Sequence, residues 1–503
     1  MRSWRTASVS LLSFSSGLPL GLVWIAIPTW LAREGVDIKI IGLFTLAQTP
    51  WSFKFLWSPL MDRYALPLGR FSSKLGWTLF WQLGLLILTL VLAGVALRPE
   101  AIWIVGSVTL AIAFASASQD IAIDAYAVEV LRAEEQGVAG GARIAIYRAA
   151  MFVAGGVVIT LAGLWSWPLM FALVALLYIP FMVVTWHAPH SSVDHSAAPA
   201  SLRDAVWEPF VGFLTKHRAL EILAFVVLYK LADNLAGALV RPFLVQVGFN
   251  DFDVGVATAT IGLVATLGGT LLGGVLTTAM GLGHSLWVFG ILQIASNFGY
   301  VLIAQLGADR GLMYSAMAFE SLTSGMGTGA FSVLLLRLTQ KQFSATQYAL
   351  FSSLFALPRI LAGPVTGVLV DAMGWREFFI LTMVVGIPGM VLLQRFSPMG
   401  VRDPDMQVLA TQPVVAISRR ALTLRASLGA AIGMGCALLV IAGLDVMRQQ
   451  HAHPEAAYDV WAALNAVLHP QGIGDWMELF GILVFGALIA LTSAATVAAR
   501  SRR

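Results

Sequence analysis

The sequence predicts an all-α integral membrane protein, on three observations: its composition, the length of its apolar runs and the placement of its basic residues. Of 503 residues, 58% are hydrophobic and 12% charged, and the mean hydropathy is +0.81. A soluble domain carries about 25% charged residues, so a chain of this length has too few to cover its surface against water. Lipid must solvate it. The net charge of +4 does not point to nucleic acid, because basic residues gather in the cytoplasmic loops of membrane proteins for topological reasons.

Runs of the roughly twenty apolar residues that cross a hydrocarbon core of about 30 Å recur along nearly the whole chain. They fall near 8–32, 39–61, 77–97, 101–127, 143–164 and 166–186, then 218–246, 254–279, 285–305, 309–337, 345–371 and 375–394, and finally 425–446 and 475–498. That gives about fourteen spans. The first reaches Leu31 with no A-x-A processing site and is too long for a signal-peptide core, so it is expected to be retained. Arg63, Arg70, Lys74, Arg132, Arg337, Lys341, Arg419, Arg420 and Arg503 fall on one side, and the other side holds few basic residues, such as Arg33, Lys39, Arg98 and Arg376. The basic side is the cytoplasmic one, which places both termini there.

Two polar stretches divide the spans. The expected organisation is a six-helix bundle over 1–186, a cytoplasmic linker over 187–217, a second six-helix bundle over 218–394, a second linker over 395–424 and an additional helix pair over 425–503. In the first linker, Ser201-Leu202-Arg203-Asp204 ahead of Trp207 and Phe210 predicts an N-capped amphipathic helix along the cytoplasmic face. Two joined bundles of six are the arrangement of major facilitator transporters. A weak internal repeat agrees: Leu131-Arg132 is echoed by Leu336-Arg337, and Arg148 with Gly155-Gly156 by Arg359 with Gly363-Pro364. The loop Ser58-Pro59-Leu60-Met61-Asp62-Arg63-Tyr64, with Gly69-Arg70 and Lys74, resembles that superfamily's signature G-x-L-x-D-R-x-G-R-K, with Ser58 in place of the first glycine. Asp62, Arg63 and Arg70 are the gating candidates, since a carboxylate at a helix end can hold basic residues and a facing helix end together.

Ionisable groups inside the spans mark the site, because each costs at least about 2.5–3.5 kcal/mol to bury in a bilayer and so pairs or faces a cavity. The chain offers Lys54, Asp120, Asp124, Arg148, Lys230, Asp233, Glu320 and Arg359. Asp120 and Asp124 share a helix face at i, i+4, and Lys230 and Asp233 share one at i, i+3 beside Asn234. Equal depth in their spans pairs Lys54 with Asp120. Asp120, Asp124 and Glu320 are the candidates for proton coupling; Lys54, Arg148, Lys230, Asp233, Asn234 and Arg359 are candidates for solute binding. Ser16-Gly17-Leu18-Pro19 and Pro28 predict a break in the first helix at the solute site, and Trp24, Trp51, Tyr126 and Tyr147 could stack on sugar faces. His187, His190 and His195 lie in a Ser/Ala/Pro stretch without the ligand spacing of a metal site, and no Walker loop or catalytic H-E-x-x-H set occurs. The reading is a solute transporter without metal or other cofactor, neither an enzyme nor an ATP-driven pump.

Ser16-Gly17-Leu18-Pro19, the run Lys54-Phe55-Leu56-Trp57-Ser58-Pro59-Leu60-Met61-Asp62-Arg63-Tyr64 and the run Ala117-Ser118-Gln119-Asp120-Ile121-Ala122-Ile123-Asp124-Ala125 resemble the AmpG-type muropeptide permeases. The likeness continues through Val247-Gly248-Phe249, Val254-Gly255 and Gly374-Trp375-Arg376. It implies a bacterial inner-membrane, proton-driven importer of N-acetylglucosamine-1,6-anhydro-N-acetylmuramyl peptides serving peptidoglycan recycling. Gly17, Lys54, Gln119, Asp120 and Asp124 match the family pattern, whereas Tyr126 and Glu134-Glu135 depart from it. Another anionic solute, such as a siderophore or a coenzyme A derivative, would suit the same side chains. Function as a monomer is the superfamily's expectation.

Overall fold

A computed structural model describes residues 3–37, 40–41, 44–66, 73–96, 102–191, 201–216, 218–404, 419–452, 460–470 and 472–500. Eleven helices among them are long and apolar enough to cross a membrane. The first half comprises α1 (Trp4–Arg33), a segmented α2 (44–63), α3 (Lys74–Val95), α4 (Ile102–Val130), α5 (Gln136–Ala162) and α6 (Trp167–His187). After the linker helix α7 (Leu202–Leu214) come α8 (Ala219–Val247), α9 (Phe252–Met280), α10 (Leu282–Leu306), α11 (Arg310–Leu338), α12 (Ser344–Met373) and α13 (Trp375–Phe396). The chain ends in α14 (Arg419–Ala452), a short α15 (Val460–Leu468) and α16 (Ile473–Arg500).

Eleven is fewer than the fourteen spans expected, for identifiable reasons. The stretch expected as one span over 39–61 is, in its described part, a chain of short helical pieces: Phe44–Gln48, Thr49–Phe53, Lys54–Leu56 and Ser58–Arg63. Pro50 and Pro59 open two of these pieces, and each lacks the N–H that would continue the ladder. The helix α11 is 29 residues long, but Glu320 and its run of Ser, Thr and Gly dilute its apolarity. The helix α12 has 30 residues, enough to span at 1.5 Å per residue.

The break expected in the first helix takes another form. Pro19 sits inside a continuous helix, and the irregularity is one wide π turn, Leu22–Ala26, just before Pro28. Pro28 cannot donate to the carbonyl four residues back, and a π turn absorbs the mismatch without breaking the chain direction. The linker helix α7 forms as expected, with Ser201 Oγ accepting from the Asp204 N–H at 3.1 Å.

Packing locates the site. One apolar core unites both halves at the end of the molecule that carries the Asp62 loop, joining Val9, Tyr126 and Leu131 to Phe331, Leu334 and Phe351. Toward the opposite end the cores are separate: Trp30, Phe171 and Tyr178 in the first half, Phe243, Tyr300 and Phe379 in the second. The molecule is therefore shut at the Asp62 end and divided at the other. The shut end depends on a close crossing of α5 over α9, where a Cβ on Gly141 would lie 3.0 Å from Gly274 Cα. Gly429, Gly433 and Gly486 bring α14 and α16 together in the same way, and this terminal pair lies against α7, where an apolar recess of about 420 Å³ includes Trp207, Leu422 and Leu491.

Gly141→Val is expected to destabilise the closed α5–α9 contact by about 1–3 kcal/mol through overpacking, read as a lower melting temperature of the purified protein. Gly435→Val, at a position with no atom within 4 Å of the added Cβ, should leave the melting temperature unchanged.

Candidate transport site

The helix α4 is built from Ala, Ile and Val with no proline, so it stays straight and displays residues four apart on one face. That face carries Asp120 and Asp124. The segmentation of α2 turns Lys54 inward on a tight turn, where it is buried. Lys54 Nζ reaches Asp124 Oδ2 at 3.2 Å, which corrects the expected pairing with Asp120: the broken helix shifts Lys54 by one turn of α4. Arg143 of α5 bonds the other Asp124 oxygen, donates to Ser13 Oγ at 3.4 Å and lies over the Tyr348 ring of α12 at 5.8 Å. Asp124 thus holds two cations. Asp120 lines the cavity beside Ser16, and its Oδ1 is buried without a hydrogen-bond partner among the described residues.

A cavity of about 270 Å³ opens between the halves at this point. Ser16, Lys54, Asp120, Asp124, Arg143, Tyr147 and Arg148 line it from the first half; Thr328, Phe331, Ser332, Tyr348, Ser352 and Phe355 line it from the second. Arg148 makes no ion pair among the described residues. Arg359, on α12, is exposed and places its guanidinium 5.2 Å from the centre of the Trp24 ring.

A second buried polar cluster lies wholly in the second half. The helix α8 is interrupted at Lys230, between Ala219–Leu228 and Leu231–Ala238. Lys230 Nζ binds Asp233 at 2.7 Å, Gln293 at 2.5 Å and the Ser324 carbonyl at 2.9 Å. Glu320 accepts from Ser321 Oγ at 3.2 Å, and the Tyr300 hydroxyl reaches Met317 Sδ at 3.5 Å. Asn234, beside them, is half-buried.

Other expected site residues are placed elsewhere. Gln119 is fully buried and donates to Ser15 Oγ at 2.6 Å, in a chain that continues through Gln82 to Thr185 and ties α1, α3, α4 and α6 together. Gly17 stands where α1 crosses α5; a Cβ there would lie 2.8 Å from the Ala150 methyl. Tyr126 is fully buried, and its hydroxyl donates to the Pro189 carbonyl at 2.8 Å, so it cannot stack on a sugar. Trp24 and Trp51 meet edge to face at 6.1 Å. Arg70 lies outside the described residues.

At the shut end Asp62 is buried among donors from the other half. Its carboxylate accepts from Ala345 N at 3.1 Å, Thr346 N at 2.8 Å and Thr346 Oγ1 at 2.7 Å, all in the first turn of α12, and from Lys74 Nζ at 2.6 Å. A carboxylate there satisfies N–H groups that the helix cannot and meets the positive end of its dipole. Arg63 lies over the Tyr64 ring at 5.4 Å. Glu129, at the end of α4, accepts from Ser344 Oγ at 2.7 Å.

Sequence reasoning passed over Arg143, Tyr348, Gln293 and Ser324. Arg143 was findable, since it is a cation in the glycine-rich apolar run that also holds Arg148. The others are ordinary polar residues whose role comes from helices distant in sequence. Adding Arg143 changes the charge balance of the group: five basic side chains, Lys54, Arg143, Arg148, Lys230 and Arg359, face four acidic ones, Asp120, Asp124, Asp233 and Glu320.

Arg143→Met is expected to destabilise the protein by about 3–5 kcal/mol, because it strips one cation from a buried carboxylate. Adding Asp124→Asn should recover part of that loss, measured by thermal unfolding. Asp62→Asn should weaken the shut end by about 1–3 kcal/mol, as charged hydrogen bonds become neutral. A cysteine at Ser332, in a protein whose natural Cys436 is replaced by Ala, would then react faster with a maleimide reagent supplied from the Asp62 side.

Comparison with known proteins agrees with this architecture. The family model described as Major Facilitator Superfamily matches residues 9–363. The anhydromuropeptide permease of Escherichia coli K12 is 42% identical over 391 residues, 77% of this chain and 79% of that protein. A putative transporter AmpG 4 of Rickettsia felis is 28% identical over 78% of this chain and 96% of its own length. Among solved structures, the human organic anion transporter MFSD10 superposes with a TM-score of 0.60 at 14% identity, covering 78% of this chain and 99% of that one. The transporter FucP in its outward conformation gives 0.60 at 11% identity, over 78% and 98%. The chain is thus a multi-pass membrane transporter that belongs to the Major Facilitator Superfamily, within its AmpG-type muropeptide permease family.

Proposed function

We propose that the protein imports anhydromuropeptides, disaccharide peptides ending in a 1,6-anhydro-N-acetylmuramyl unit, in symport with protons. The observation that carries the proposal is the cavity between the halves, with Lys54, Arg143 and Arg148 on its wall beside Asp120 and Asp124. The carboxylates of a peptide stem suit the cations, and the hydroxyls of Ser16, Ser332, Tyr147 and Tyr348 suit acetamido and sugar hydroxyl groups. At about 270 Å³ the cavity is below the range of roughly 300–1,000 Å³ usual for whole small-molecule ligands. The solute therefore enters it by one end and lies along the divided side of the molecule with the rest.

In the orientation that the basic residues favour, the Asp62 end and both termini face the cytoplasm and the divided end faces the periplasm. Asp62 on the first turn of α12 then acts as the cytoplasmic latch, with Arg63 and Arg70 as its basic neighbours in sequence. Asp120, which bonds no cation among the described residues, and Glu320 carry the proton; Asp124 holds Lys54 and Arg143 in place for solute. Lys230, Asp233 and Asn234 shape the second half of the path. One chain contains both halves of the site, so the monomer is the working unit, with protons and the lipid bilayer as its other partners. The 42% identity to the Escherichia coli anhydromuropeptide permease favours this cargo over a siderophore or a coenzyme A derivative.

The test is uptake of labelled anhydro-disaccharide peptide into proteoliposomes. With an inward gradient of one pH unit, about 1.4 kcal/mol per proton, accumulation should approach about ten-fold for each proton coupled. Without a gradient it should stop at equilibration. Asp120→Asn should lose accumulation while inserting normally. No uptake of this solute by a folded preparation would move the cargo to another anionic molecule.

A further inference from the structure

Lys54 reaches the cavity from a turn that no continuous helical ladder holds. One piece of the segmented α2 ends at Phe53 and the next begins at Ser58. Between them Lys54–Leu56 form a single tight turn, and the backbone at Phe53 (φ −107°, ψ 9°) and Trp57 (φ −110°, ψ −3°) leaves the α-helical minimum. In a regular helix, hydrogen bonds on both sides fix the direction of each residue. Here the direction of Lys54 depends on what grips its two aromatic flanks. Trp57 is gripped from α4: its Nε1 donates to Ser118 Oγ at 3.1 Å, and its ring lies 4.9 Å from that of Phe114. The same helix carries Asp124, so this flank of the turn is tied to the element that holds the lysine's own partner.

The other flank is gripped from outside the two bundles. The Phe53 ring meets the Phe480 ring of α16 edge to face, with centres 5.7 Å apart and planes at 66°. The helix α16 is itself fixed. Ala495 is fully buried in the core shared by both halves, with Leu488, Leu491 and Ala498 packed against it. A Cβ on Gly433 of α14 would lie 3.1 Å from Gly486 Cα. Phe480 stands five turns before Ala498 on the same face of the helix, so one face of α16 runs from the shut end to the residue that precedes Lys54.

We infer that the additional helix pair takes part in solute binding: Phe480 is a positioning residue that holds the Phe53 side of the Lys54 turn and so sets where the ammonium group meets solute. The inference rests on the proposed binding of an anionic solute at the cavity and names a further residue for it. Phe480 acts through Phe53 and Lys54 and touches no solute. Without its ring the turn is held on the Trp57 side only, and Lys54 samples several directions. A solute carboxylate must then order the lysine as it binds, and that cost is subtracted from affinity. Steps that do not involve Lys54 are untouched.

The test is calorimetric titration of the purified protein with anhydro-disaccharide peptide, beside uptake into proteoliposomes. Phe480→Ala should weaken binding about three- to ten-fold, the scale of one edge-to-face pair. It should raise the KM of uptake by the same factor, with the maximal rate within about two-fold of the unmodified protein. Phe480→Tyr, which keeps the ring, should restore both. Phe480→Leu, which keeps apolar volume at the contact, should weaken binding in the same direction even if the alanine variant does not fold. In a Lys54→Met background, Phe480→Ala should add less than about two-fold, because residues that act through one another do not add. Unchanged affinity in Phe480→Ala and Phe480→Leu, or an equal loss with and without Lys54, overturns the inference; so does a lower maximal rate with KM unchanged. No saturable binding of this solute by the unmodified protein would instead overturn the cargo assignment, and this inference with it.

Discussion

The cost of holding charge inside a bilayer governs this structure. Each ionised group needs a partner of opposite sign or access to water, and the helices are cut and bent where they meet that need. The segment 44–63 breaks into short pieces around Lys54, and α8 is interrupted at Lys230. In each case the interruption lets a lysine turn inward to a carboxylate, Asp124 or Asp233. The balance stays incomplete, with five basic groups against four acidic ones. A surplus cation at the centre of a transporter is a standing demand for an anion, and it relates the composition of the site to the class of solute.

The same electrostatics ties the two halves together at the shut end. At the shut end a carboxylate of one half, Asp62, sits on the positive end of a helix from the other and draws the halves together. Near the cavity, Arg148 of the first half lines the wall and makes no ion pair among the described residues. The shared apolar core with the glycine crossing of α5 and α9 fills in behind that contact, while the cores toward the other end stay separate. Alternating access requires that the Asp62 contact be made and released in turn.

Much of this was legible in the sequence. Composition and apolar run length gave the membrane class and the two bundles, because hydropathy is a local property read one span at a time. The Asp62 loop, the i, i+4 pair Asp120 and Asp124, and the Ser201 cap were visible for the same reason. What escaped was set by irregular backbone or by distant helices. Pro50 and Pro59 marked the breaks around Lys54, yet a continuous span was expected there, and the continuous helix led to Asp120 as its partner where the structure has Asp124. Pro28 was expected to break the first helix, but a π turn absorbed it. Gln119 and Tyr126 belong to helix packing, which no spacing within α4 could distinguish from a cavity-facing position. Gln293 and Ser324 acquire their role only when α10 and α11 come up against Lys230.

The most direct measurement is the number of protons taken up when solute binds, obtained by calorimetric titration of the purified protein in buffers of different ionisation enthalpy. If solute binding is coupled to protons through Asp120 and Glu320, binding near neutral pH should take up about one proton per solute, and Asp120→Asn should lower that uptake. Binding that moves no proton in the unmodified protein, or the same uptake with Asp120 replaced, would contradict the account.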